Sequence, residues 1–93
     1  MTKAILTIDE SSNIMFDCIN HADDHDACTV ISTLCNVMVQ RTIDLDREPT
    51  IYNKGHVRID IPNADQVTKA VFQTVYKVME QAARQQSDYI RTY

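Results

Sequence analysis

Ninety-three residues, 44% of them hydrophobic, make a single domain spanning 1–93, near the size at which one core can just sustain a fold. The net charge of −4, with no cluster of Lys and Arg, argues against binding nucleic acid through its phosphates. No apolar run approaches the roughly 20 residues that span a bilayer, and Met1 opens no charged-then-apolar leader, so the expected compartment is the cytoplasm.

From the N-terminus, Lys3 to Ile8 places Ala4, Leu6 and Ile8 on one face. Asn13 to Asn20 alternates Ile14, Phe16 and Cys18 against Met15 and Ile19. Period two is the signature of strands, and the DESSN between them is a turn, so the chain opens on a β-hairpin.

From Ala27 the period changes. Val30, Leu34, Val37 and Met38 recur at three and four, with Ile31, Cys35 and Val39 on adjoining rows, which predicts a largely buried helix to about Gln40. Asp26 is placed to cap it, accepting from the free N–H groups of the first turn.

RTIDLDREPT then reads as a polar crossing. Ile51 to Asn53 and His56 to Ile61 form a second hairpin, turning at Lys54 and at Gly55, the one glycine in the chain. Asn63 with Gln66 has the form of a capping box, and Val67, Val71, Val75, Val78 and Ala82 make a stripe on a second helix ending near Arg84. SDYIRTY closes the chain, with Tyr89, Ile90 and Tyr93 expected to pack back on the sheet. The order β-β-α-β-β-α predicts an α+β fold: two hairpins in one four-stranded sheet, with two helices packed on it.

The chemistry concentrates between the first hairpin and the first helix, in NHADDHDACTVIS from Asn20 to Ser32. Cys18, Cys28 and Cys35 are odd in number and form no C-x-x-C pair, so no disulfide framework is expected and at least one thiol is left over. Cys18 falls in a strand alternation and Cys35 on the buried rows of the helix, which makes both core residues.

Cys28 falls in the first helical turn. The helix dipole and free N–H groups there favour a thiolate, and His21, at the end of the second strand, is a candidate base. Asp23, Asp24 and Asp26 act the other way, since a negative field raises a thiol pKa. Two readings of Cys28 therefore stand, a nucleophile paired with imidazole and a half-buried cysteine in a capped helix.

His21, His25 and Cys28, with three aspartates nearby, could also hold a transition metal, although HADDHDAC matches no well-specified zinc spacing. His56 reads as a strand-edge residue. Ser32, one turn after Cys28, either bonds back to a helix carbonyl or supports the thiol.

The set of His21-Ala22, an acidic loop, Cys28 and Ser32 lies between two hairpins, the second carrying Gly55-His56-Val57-Arg58-Ile59. The chain then ends on Ser87-Asp88-Tyr89-Ile90. This arrangement resembles the ribosomal-processing cysteine protease family, Prp, over nearly the whole chain. The resemblance implies a homodimeric α+β cysteine protease that removes a short N-terminal segment from a large-subunit ribosomal protein, or from a phage-encoded protein in a divergent member. Cys28 would be the nucleophile and His21 the base, with Ser32, Asp26 and His25 in support.

No cofactor or metal is expected. Two features depart from the family pattern: Asn20 stands where Gly is usual, and the loop from His21 to Cys28 is shorter and lacks glycine. The competing reading is a protein-binding module of the same fold in which the dyad is inactive.

Overall fold

The structure is a computed structural model describing residues 1–20 and 26–93, the side chains of 26–28 excepted. Strand β1 (Thr2–Ile8) and strand β2 (Ile14–Ile19) pair antiparallel, placing Ala4 opposite Cys18, Leu6 opposite Phe16 and Ile8 opposite Ile14. The apolar residues of both strands thus share one face, as the alternation requires. Asp9 holds the intervening turn: its Oδ1 accepts from the Ser11 and Asn13 N–H groups and its Oδ2 from Asn13 Nδ2.

Strand β3 (Ile51–Asn53) and strand β4 (His56–Ile61) form the second hairpin around Lys54 and Gly55, with Gly55 at φ 98°. β4 pairs antiparallel with β2, setting Val57 opposite Cys18 and Ile59 opposite Phe16. The two hairpins therefore join through their inner strands.

The sheet has five strands rather than the expected four. Ile90–Thr92 form β5, which pairs parallel with β1 and completes the order β3-β4-β2-β1-β5. Of the three C-terminal residues expected to pack inward, Ile90 is buried, whereas Tyr89 and Tyr93 are exposed. β5 is fixed mostly through main chain: Thr2 N–H donates to Tyr89 O and Tyr93 N–H to Ala4 O, and the Tyr76 hydroxyl accepts from Tyr93 N–H.

Both helices lie on the apolar face of the sheet and complete a core of Ile14, Phe16, Ile31, Met38, Ile59, Phe72 and Met79, all at most 2% exposed. Helix α1 (Asp26–Asp44) begins one residue earlier and runs a turn further than its pattern suggests. Its last turn buries Thr42, whose hydroxyl donates to Met38 O.

α1 stops at a Schellman motif. Asp46 takes φ 61°, its N–H donates to Ile43 O, and Arg47 N–H donates to Thr42 O. Glycine usually fills that left-handed position, and its absence makes the stop hard to read.

Helix α2 (Gln66–Gln85) is capped by Asp65, whose carboxylate accepts from Thr68 N–H at 2.7 Å, and not by Asn63. Asn63 sits before the helix at φ 50°, its N–H donating to Asn13 Oδ1. The buried stripe is also rotated by one residue from the expected valine row: Thr68, Phe72, Val75, Tyr76, Met79 and Ala83 face the core, while Val67 and Val78 are exposed. Both rows are apolar at helical spacing, and the one with the larger side chains removes more area from water.

Three carboxylates are held below their ordinary value of 3.8: Asp9 by its bonds from Asn13, Asp60 by the Arg58 guanidinium, and Asp65 by the Thr68 N–H. A carboxylate whose folded pKa is depressed contributes stability above its unfolded pKa and loses it as pH falls through the folded value. The midpoint of thermal unfolding should therefore change little between about pH 7 and 5 on this account and fall below about pH 4, less steeply in Asp9→Asn. A midpoint flat down to about pH 2 would contradict this assignment.

Candidate functional site

β2 delivers the chain to the site through Asn20, which adopts the left-handed φ of 62°. Asn is among the few non-glycine residues that take this conformation readily, which explains how it serves where glycine would be expected. Its N–H donates to Gly55 O at 2.7 Å and its carbonyl accepts from the buried Thr2 hydroxyl at 3.1 Å. The peptide before His21 is thereby tied to the β3–β4 turn on one side and to β1 on the other.

His21 and His25 lie outside the described residues, as do the side chains of Asp26 and Cys28. The pairing of Cys28 with either histidine, the capping role of Asp26 and the metal reading through His21, His25 and Cys28 therefore fall outside them too. The backbone does place Cys28 as the third residue of α1. The first four N–H groups of a helix have no partner within it and carry the positive end of the dipole, and the backbone of Cys28 belongs to that turn.

Ser32, four residues on, is half-buried and lines a cavity of about 370 Å³ between α1 and the second hairpin. Cys35 and Val57 contribute its apolar floor, and Asn36, Tyr52, Asn53 and Lys54 its polar wall. The Tyr52 hydroxyl lies 3.2 Å from Asn36 Oδ1, so the helix and the hairpin are linked across it. Larger cavities exist, one of about 590 Å³ between the outer faces of α1 and α2 and one of about 680 Å³ around Ile43 and Pro49, but neither includes Ser32.

The other two thiols are core, as their positions in the pattern predict. Cys18 and Cys35 are buried, and the Cys35 thiol is pushed far above its ordinary range by its hydrogen bond with Cys18 and by burial. Cys35 is therefore not suited to nucleophilic work near neutral pH, and Cys18 is enclosed in the core.

His56 opens β4 and sits opposite Ile19, where its Nε2–H donates to Asp17 Oδ1 at 2.6 Å. That pair lies on the sheet face away from the helices and braces β2 against β4 near the Asn20 anchor. Among the described residues, no group of three or more His, Cys, Asp and Glu could hold a metal ion, and no helix is long and apolar enough to cross a membrane.

Asn36, Tyr52 and Lys54 were not anticipated as site residues. One signal was available: Cys28, Ser32 and Asn36 follow at intervals of four, a row beside the apolar row of Ile31, Cys35 and Val39. Tyr52 and Lys54 carry no comparable local signal, because they reach the cavity only through the pairing of β3 with β4.

No family model matches the sequence, and no curated protein matches it. Solved structures do share its fold. The ribosomal processing protease Prp from S. aureus, in complex with a substrate peptide, superposes with a TM-score of 0.81 at 17% identity, covering 100% of this chain and 98% of that one. The same protease in complex with a covalently linked product peptide gives 0.79 at 18% identity, covering 99% and 97%. SMU.848 from Streptococcus mutans gives 0.79 at 16%, covering 99% and 91%. The chain therefore has the Prp-like fold along its whole length.

The anchor at Asn20 can be tested without reference to activity. A β-branched residue at φ 62° is strained, so Asn20→Val should cost about 1–3 kcal/mol in urea unfolding, whereas Asn20→Gly should stay within about 1 kcal/mol of the wild type. Equal stability of the valine variant would show that this backbone angle is not a constraint.

Proposed function

We propose that the chain is a cysteine endopeptidase that cuts an exposed, extended segment of a partner protein. The observation carrying this reading is a fold shared end to end with a protease seen with both a substrate peptide and a covalently linked product peptide. A cysteine in the first turn of α1 and a His-Ala pair one residue after the end of β2 in the sequence agree with it. The residues expected to do the chemistry are Cys28 and His21.

In this reading the Cys28 thiolate attacks the scissile carbonyl while His21 holds the thiol proton. First-turn N–H groups of α1 stabilise the oxyanion. His21 then gives the proton to the departing amine, leaving a thioester on Cys28. Water, deprotonated by His21, hydrolyses that ester and regenerates the thiol.

β3 is an edge strand beside the Ser32 cavity, so an extended substrate can pair with its outer backbone groups and gain affinity without a deep pocket. The N-terminal extension of a ribosomal or phage protein is such a segment. The reading also takes the working form to be a homodimer in the cytoplasm.

Incubating the protein with a randomised peptide library and sequencing the new termini by mass spectrometry tests it. The wild type should generate termini that Cys28→Ala does not, with the rate reduced by about a thousandfold or more in that variant. Cleavage that survives Cys28→Ala contradicts the mechanism, and absence of cleavage by both favours a module that binds without cutting.

A further inference from the structure

The cavity lined by Ser32, Asn36, Tyr52 and Lys54 differs in charge from the others described. The 590 Å³ cavity sets Arg41 beside Asp44, the 680 Å³ cavity sets Arg47 beside Asp46 and Glu48, and a fourth, of about 380 Å³, is lined by Asp9 and Asp60. The Ser32 cavity contains a lysine and no acid among its described lining residues. Lys54 is exposed at the hairpin turn and makes no ion pair among the described residues.

Asn36 adds to this. Its Oδ1 faces the Tyr52 hydroxyl at 3.2 Å, and its Nδ2 has no partner among the described residues. A lysine from the hairpin and an asparagine from the helix thus line one cavity together with the buried Val57 and Cys35. A ligand group that accepts hydrogen bonds from both and carries negative charge fits, with its methylene stem against Val57.

The cavity also has a fixed offset along α1 from the proposed nucleophile. Ser32 follows Cys28 by four residues, a rise of about 6 Å. An extended peptide advances about 3.3 Å per residue, so a side chain entering the cavity belongs to a residue roughly two or three from the scissile bond.

We infer that the Ser32–Lys54 cavity is a specificity subsite for an Asp or Glu side chain of the peptide substrate, with Lys54 and Asn36 receiving its carboxylate. The inference rests on the peptide-cleavage reading for its place along the substrate, and it is tested separately by binding. The net charge of −4 disfavours strongly acidic segments, while the lysine of this cavity admits one carboxylate at this position.

Random phage-displayed octapeptides selected on immobilised Cys28→Ala, and in parallel on Cys28→Ala/Lys54→Glu and Cys28→Ala/Asn36→Asp, provide the test. Lys54 and Asn36 are both exposed, so the substitutions leave the core intact. Cys28→Ala should enrich Asp or Glu at one position by about three- to tenfold, and each double variant should lose that enrichment, with Lys or Arg rising under Lys54→Glu. Equal acidic content in all three, or no peptides retained by any, overturns the subsite. Offering the selected peptides to the wild-type protein separates the two claims, since acidic selection without cleavage keeps the subsite and removes the protease reading.

Discussion

The 2.7 Å hydrogen bond from Asn20 N–H to Gly55 O is the constraint on which the geometry of the candidate site depends. It closes the end of β2 onto the turn of the second hairpin, and the Thr2 hydroxyl holds the Asn20 carbonyl from the other side. Because β2 is the middle strand of the sheet, this bond fixes the departure point of the chain relative to four other strands. α1 then begins six residues later and packs on the face that Phe16, Cys18, Val57 and Ile59 make apolar. Ser32, in the second turn of α1, and Lys54, in the turn to which Asn20 is bonded, line one cavity.

The four strands of the two hairpins were legible because β1, β2 and β4 each bury one face, which gives a local period of two, and β3 was marked by the turn at Lys54 and Gly55. Lone Gly55 marked the second turn correctly, at φ 98°. β5 was not legible: it has three residues, one of them buried, and its parallel pairing with β1 depends on chain returning from the far end of α2. The stop of α1 was hidden by an aspartate in a glycine's conformation. The rotation of α2 shows a different limit, since periodicity locates an apolar face but cannot choose between adjacent rows. Phe72, Tyr76 and Met79 outweighed the valines by size.

The candidate site divides in the same way. Cys28 was assigned to the first turn of a helix from pattern alone, and α1 begins so as to place it there. The placing of Cys18 and Cys35 in the core was legible too, because they sit on rows that the strand and helix periods bury. The left-handed angle at Asn20 is one that Asn tolerates better than most residues, which agrees with its standing where the resembled family usually has glycine. Asn36, Tyr52 and Lys54 assemble only in three dimensions, where a helix and an edge hairpin meet, so no local pattern announces them. The same separation of signals explains why a fold shared at a TM-score of 0.81 coexists with 17% identity. Strand alternation and helix amphipathicity survive many substitutions, whereas particular residues around a substrate do not have to.

The central claim is that Cys28 is an activated thiol held in that state by His21. The most direct measurement is the rate of Cys28 alkylation as a function of pH, read by mass spectrometry on the folded protein and on His21→Ala and His25→Ala. An apparent pKa well below the free-thiol value of about 8.5 in the wild type and in His25→Ala, returning toward that value in His21→Ala, is the predicted result. An ordinary thiol in the wild type, or a lowered pKa unaffected by His21→Ala, would contradict it.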